Sequence, residues 1–190
     1  ADSILSQPIG RALVQLEGGK SSSRSKETNL GNLITDAMRD KTNAEIGFQN
    51  GGGIRAGIAP GNITYRDVLT VQPFGNTLVV IDMTGSQVEE VLNFSATKVG
   101  SGAFMQVSGL SFDINNGKAE NVKVGSASID PNKSYRVVTN NFVAAGGDGY
   151  KMLKGLPKED TGFVDADAFR EYVAYKKQVS PKVEGRITIK

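Results

Sequence analysis

"AFMQVSGLSFDINNGKAENVKVGS", Ala103–Ser126, is the stretch on which the fold class turns. Its apolar residues recur at a period of two, the spacing of strands with one buried face, and "NNGK" at 115–118 is a hairpin turn between two such runs. After "DPNK" a further strand, "SYRVVTNNFV", is expected over 134–143, and these segments together read as hairpins. Upstream the period changes. Thr84 opens a helix with Gln87 as its capping-box partner and Val88, Val91 and Leu92 on the inward face. Before it lie the strand "TLVVIDM", the turn "PFGN" and a short helix, "TYRDVLTV", capped by Thr64 and Asp67. Further back, "AEIGFQN" is a short buried strand running into "GGGIRAG", and "ETNLGNLITDAMRD" is a helix with Leu30, Leu33, Ile34, Ala37 and Met38 on one stripe. Thr28 or Asn29 caps that helix, and the polar, cationic loop "GGKSSSRSK" precedes it. At the other end Asp165 is placed to cap "ADAFREYVAYKKQ", with Phe169, Val173 and Tyr172 as its inward residues, and "GRITIK" closes the chain as a strand. Helices and antiparallel strands mixed without a regular βαβ alternation indicate an α+β fold. A single domain of layered helices and mixed, largely antiparallel sheets is expected.

The composition agrees with a globular domain: 190 residues, 38% apolar and 22% charged. The net charge of +2 comes from 22 basic and 20 acidic residues that are well interspersed, so no patch argues for nucleic acid. No stretch approaches the roughly 20 apolar residues of a membrane span. Cysteine and histidine are both absent. That removes a disulfide scaffold, the commonest general base and the commonest transition-metal ligand, so a metallohydrolase complete within this chain is not expected.

Four loops carry the candidate chemistry, each at a strand end or helix start. Arg55 follows three glycines whose N–H groups are free to face one anion, and its guanidinium offers a fork for phosphate or carboxylate. A glycine-rich turn with a surface arginine is the plainer alternative. Lys20 and Arg24, four residues apart, either reach one anion or form a solvated face. Phe74, between a proline and a glycine, and Phe142, among small residues at a strand end, are either core or two walls around a planar heterocycle. Asn76 and Asp148 trail these rings; an amide suits a base edge and a carboxylate suits a ribose diol, though both residues also favour turns. Taken together the loops specify a ligand with a flat ring, a diol and a negative charge. No nucleophile with an adjacent base accompanies them, so no catalytic residue is assigned.

"ETNLGNLITDAMR", "QNGGGIRAGI", "ITYRDVLTVQPFGNTLVVIDMTG" and "YRVVTNNFVAAGGDGY" resemble, in family order, the C-terminal domain of the 5'-nucleotidase family, whose bacterial members are periplasmic 5'-nucleotidase/UDP-sugar hydrolases. The resemblance implies that residues 19–190 are the substrate-binding domain and residues 1–18 the end of an interdomain connection. It implies a separate N-terminal metallophosphoesterase domain holding two divalent metals and an Asp-His pair, and a periplasmic or extracellular setting. It implies that this chain alone is inactive and holds no metal itself. By motif, Phe74 and Phe142 stack on the base, Asn76 contacts the base edge, Asp148 bonds the ribose hydroxyls and Arg55 serves the ribose and phosphate side. Lys20 and Arg24 fall where the family has two arginines, so Lys20 is a departure that replaces a fork with a point charge. The substrate class is a nucleoside 5'-phosphate, with UDP-sugars, cyclic nucleotides and dinucleotides as alternatives within the family. A free-standing nucleoside- or nucleotide-binding module without a catalytic partner is the alternative outside it.

Overall fold

The computed structural model describes residues 2–190. The chain runs α1 (Asp2–Leu5), β1 (Pro8–Ala12), α2 (Asn29–Thr42), β2 (Ile46–Asn50), β3 (Gly61–Thr64), α3 (Tyr65–Val71), β4 (Thr77–Thr84) and α4 (Gly85–Ala96). It continues through β5 (Met105–Ser108), β6 (Leu110–Asn115), β7 (Lys118–Val124), β8 (Ala127–Ser128), β9 (Ser134–Asn140), α5 (Asn141–Ala144) and α6 (Lys151–Lys154). It ends with β10 (Glu159–Val164), α7 (Asp165–Lys176), β11 (Gln178–Val179) and β12 (Ile187–Ile189). The strands form a five-stranded sheet in the order β10-β4-β9-β2-β5, a four-stranded sheet β12-β6-β7-β8 and a three-stranded sheet β11-β1-β3. The pairs β2·β9, β1·β11 and β6·β12 are parallel and the other described pairs antiparallel, so the expected α+β class with mixed, largely antiparallel sheets is what forms.

The five-stranded sheet is the middle layer. One face packs Ile81, Met83 and Val137 against α4 and the four-stranded sheet; the other packs Leu78 and Val138 against α2, α7 and the three-stranded sheet. Successive residues of β9 therefore serve opposite cores, as the period of a strand requires. Burial on both faces is also why β2 is a continuous buried run rather than an alternating one.

The local signals behave as their chemistry predicts. Thr28 caps α2 by accepting from the Gly31 N–H at 2.9 Å. Complete capping boxes start α3 and α4: Thr64 with Asp67, and Thr84 with Gln87. Asn116 and Gly117, with φ of 50° and 73°, make the two-residue β6–β7 hairpin turn.

Three expectations are corrected. The run Ala103–Ile114 is not one strand: Gly109, at φ 81°, divides β5 of the middle sheet from β6 of the four-stranded sheet, and a Cβ there would collide with the Glu45 carbonyl oxygen. The segment after "DPNK" does not form a hairpin with its predecessor. As β9 it inserts between β4 and β2, because a strand with Val137 and Val138 on opposite faces needs cover on both. Asp165 is the first helical residue of α7 and not its cap; Val164 holds the cap position, and the Asp165 carboxylate accepts from the Ala166 N–H at 2.7 Å.

The stretch 1–18 enters the folded unit from Pro8 onward. β1 pairs with β3 and β11, and Ala12 and Leu16 are buried in the core; Ala1 lies outside the described residues.

Candidate functional site

β9 runs antiparallel to β4 and parallel to β2, with Leu78 opposite Asn140. The start of β4 and the ends of β9 and β2 consequently meet at one corner of the middle sheet. Three loops leave there: 73–76 before β4, 141–149 after β9 and 51–55 after β2. They line, with the 98–103 loop and Arg24, a cavity of about 660 Å³ whose walls include Phe74, Asn76, Phe142, Asp148, Arg55 and Arg24. Six of the seven residues singled out from the sequence are thus brought together. The seventh, Lys20, is exposed on the Gly19–Lys26 turn and is not part of the wall.

Neither ring is core. Phe74 is 58% exposed and Phe142 46%, among the largest apolar exposures of the domain, and both face the same cavity. Phe142 stands in a position unlike the expected strand end: β9 stops at Asn140, whose side chain caps the one-turn helix α5 by accepting from the Val143 N–H at 2.9 Å. The neighbouring Asn141 side chain accepts from the Thr77 N–H at 3.0 Å, which ties the two ring-bearing segments together. Gly147 lies under the ring, where a Cβ would come within 2.7 Å of Phe142 Cζ. The Arg55 guanidinium carbon is 5.7 Å from the centre of the Phe74 ring, within cation–π range.

Two of the three glycines of the run do not face an anion. The Gly51 and Gly52 N–H groups donate to the carbonyls of Phe104 (2.7 Å) and Gly102 (2.9 Å), so they are not turned toward an anion. What the glycines provide is close approach: a Cβ on Gly51 would strike the Ser23 carbonyl oxygen, and one on Gly52 would lie 3.2 Å from the Gly102 Cα. That contact brings the Arg24 loop onto the cavity. Buried Gln106 secures the same loop, accepting from the Thr28 N–H at 3.0 Å and donating to the carbonyls of Ser23 (3.0 Å) and Lys26 (2.7 Å). Arg24 is half-buried, and its Nε has no hydrogen-bond partner among the described residues.

Asp148 sits in the left-handed region at φ 57° between two glycines, and its carboxylate accepts from the Asn50 amide at 2.8 Å. Asn50 was not anticipated from the sequence, although an asparagine ending a buried strand before three glycines is a signal that was open to reading. Lys98, Ser101 and Gly102 also line the cavity and were missed; they follow α4 in a loop with no distinctive motif. Beneath the floor, the Tyr150 hydroxyl donates to the Ala103 carbonyl at 2.6 Å and its ring meets Phe94 edge-on at 4.7 Å. Burial, and then the charge of Asp148, push the Tyr150 phenol upward against a partly offsetting hydrogen bond with Ser95, so it stays neutral.

The cavity has an apolar pair, two amides, a carboxylate, two guanidinium groups and the Lys98 ammonium, which suits an amphipathic anion. Histidine and cysteine are absent from the sequence, and no group of three or more His, Cys, Asp or Glu side chains placed to hold a metal ion occurs among the described residues. No helix among the described residues is long and apolar enough to cross a membrane.

A model of the family described as 5'-nucleotidase, C-terminal domain, matches residues 8–155. The chain is similar to the trifunctional nucleotide phosphoesterase protein YfkN of Bacillus subtilis, 44% identical over 98% of this chain and 14% of that protein. It is similar also to the protein UshA of Escherichia coli, 43% identical over 87% of this chain and 30% of that protein. Among solved structures it superposes on a 5'-nucleotidase precursor from Thermus thermophilus with a TM-score of 0.93 and 43% identity, over 99% of this chain and 40% of that one. The NAD nucleotidase of Haemophilus influenzae follows at 0.87 and 28%, over 99% of this chain and 39% of that one. The chain therefore spans less than half the length of each of these relatives. With matching motifs, matching architecture and identities above 40% over nearly its whole length, this chain belongs to the 5'-nucleotidase C-terminal domain family.

Proposed function

We propose that this chain is the nucleotide-recognition domain of a secreted, metal-dependent 5'-nucleotidase-type phosphohydrolase working in the periplasm or outside the cell. The observation that carries the reading is the pair of exposed phenylalanines, Phe74 and Phe142, on separate loops of one cavity that also holds Asn76, Asp148, Arg55 and Arg24. A base lies between the rings with Asn76 at its edge, Asp148 accepts from the ribose hydroxyls, and Arg55 serves the ribose and phosphate side. Arg24 pairs with phosphate through a guanidinium fork. Lys20, four residues earlier on the same turn, adds a point charge that attracts without orienting.

The chemistry belongs to a partner. A chain without histidine or cysteine supplies binding, and an N-terminal metallophosphoesterase domain of the same parent, with two divalent metals and an Asp-His pair, supplies bond cleavage. The relatives' greater length supports that division. The substrate class is a nucleoside 5'-phosphate or a related nucleotide.

Calorimetric titration of the chain with adenosine and AMP tests the reading. Phe74→Ala and Phe142→Ala should each weaken binding by about 1–3 kcal/mol while leaving the fold intact, since both rings are largely exposed. Unaltered affinity in both variants would remove the stacking role.

A further inference from the structure

A chain of three buried or half-buried amide and carboxylate groups runs from Asn140 to Asn50 and Asp148 in the cavity wall. Asn140 Nδ2 donates to Asn50 Oδ1 at 3.0 Å, and Asn50 Nδ2 donates to Asp148 Oδ2 at 2.8 Å. Asn140 is fully buried and Asn50 nearly so. The orientation of both amides is set from the two ends. At one end the Val143 N–H can only donate, so Asn140 must turn its Oδ1 toward it and its Nδ2 toward Asn50. At the other end the Asp148 carboxylate accepts, so Asn50 presents Nδ2 to it. No flip of either amide satisfies both ends.

Asn50 Oδ1 has a second donor, Gln49 Nε2 at 3.0 Å. That contact does not replace Asn140. Gln49 Nε2 also donates to the Asn50 carbonyl at 3.0 Å and its Oε1 is buried with no hydrogen-bond partner among the described residues, so it ties Asn50 only to its own chain neighbour, whereas Asn140 ties it to α5. Asn140, pinned between the α5 backbone and Asn50, is the fixed end of the relay.

We propose that Asn140 is a positioning residue: through one side chain it caps the helix that carries Phe142 and, by way of Asn50, aims the Asp148 carboxylate, so that base stacking and ribose-diol recognition are set in register. The inference rests on the reading of Asp148 as the diol acceptor, and it assigns a specificity role to a residue that never touches the ligand. Its chemical consequence is selective. A change at 140 that keeps the cap but removes the donor leaves Phe142 in place, leaves Gln49 as the remaining donor to Asn50 Oδ1, and loosens the hold on Asp148.

Asn140→Ser and Asn140→Asp make that change. Serine and aspartate both accept from the Val143 N–H as good helix caps do. Serine stops a bond short of Asn50. Aspartate has no proton to donate and turns the Asn50 amide around, placing its oxygen against Asp148. Each variant is checked by circular dichroism, and affinities for adenosine and uridine are measured beside those for the 2',3'-dideoxy nucleosides. Parent chain should prefer the ribonucleoside by about tenfold, the worth of hydrogen bonds to a charged acceptor. In both variants that ratio should fall to within twofold of one, with dideoxynucleoside affinity changed by less than about twofold. A folded variant that keeps the parent's ratio overturns the relay while leaving the proposed function standing. A parent chain with no preference for the diol removes Asp148 from ribose recognition, and the relay with it. Equal weakening of ribo- and dideoxynucleosides in the serine variant would mean that Asn140 acts through the cap alone, and would likewise overturn the proposal.

Discussion

Replacing Gly147 by alanine perturbs the cavity without adding or removing a group that lines it. The glycine's backbone has no need of a positive φ, so the effect is purely one of space. A Cβ would lie 2.5 Å from the Phe142 carbonyl oxygen, 2.7 Å from its Cζ and 2.8 Å from its Cδ2. All three contacts are shorter than real Cβ atoms tolerate, and two of them are with the ring. The ring, 46% exposed, is free to swing outward; the carbonyl belongs to the capped turn of α5 and moves only with it. Overpacking of this kind costs about 1–3 kcal/mol, which at this chain length lowers Tm by roughly 2–12 °C. A displaced ring loses its share of stacking, again about 1–3 kcal/mol, or roughly five- to 150-fold in Kd for adenosine. Thermal unfolding and calorimetry read the two effects separately. Gly155→Ala is the matched control: a Cβ there meets nothing within 4 Å and φ is −91°, so binding should not change. A folded Gly147→Ala chain with the parent's affinity would refute the claim that Phe142 is held over Gly147 to serve the ligand.

Two further predictions concern stability. Burial raises Asp165 from its ordinary 3.8 to about 6, against the opposing hydrogen bond from Ala166. The native state then keeps a proton that the unfolded chain loses between those values, so stability falls as pH rises from about 4 to 6 and the cost is complete above 6. Asp165→Asn should therefore stabilise the domain at pH 7.5 by at most roughly 3 kcal/mol, from about two pKa units at 1.36 each. The gain should shrink as pH falls toward 4, and urea unfolding across that range would show a constant difference if the burial argument were wrong. Gln106→Ala removes the three hydrogen bonds that hold the Ser23–Thr28 loop and should cost about 2–4 kcal/mol. Hydrogen exchange at residues 23–28 should accelerate more than in β2 or β9, and uniform acceleration would deny Gln106 a local role.

Much of the fold and part of the site were legible along the chain because their causes are local. A capping box needs residues three apart, a two-residue hairpin turn needs Asn-Gly, and an amphipathic helix shows its stripe within one window; Thr64, Thr84, Asn116 and the Leu30–Met38 stripe were readable on those grounds. The rings and charges of the cavity were visible as loop residues, although each phenylalanine taken singly suits a core as well as a ligand wall. Their convergence was not, since it depends on β9 settling between β4 and β2, a pairing that brings Leu78 to Asn140 across the sheet.

What the sequence by itself determined is the inventory: α+β patterning, capped helices, two phenylalanines, an amide, a carboxylate and arginines on loops, and no histidine or cysteine for metal chemistry. What only the tertiary structure decided is which of these share one space and what holds them there. Gly109 breaks an apparently continuous strand because a Cβ there would strike the Glu45 carbonyl oxygen. Lys20 falls outside the wall that Arg24 joins. Asn50 reaches Asp148 across 98 positions of sequence, and Gln106 reaches Thr28 across 78. Such contacts carry no periodicity and no spacing rule, because their geometry is set by how sheets and loops distant in sequence pack together.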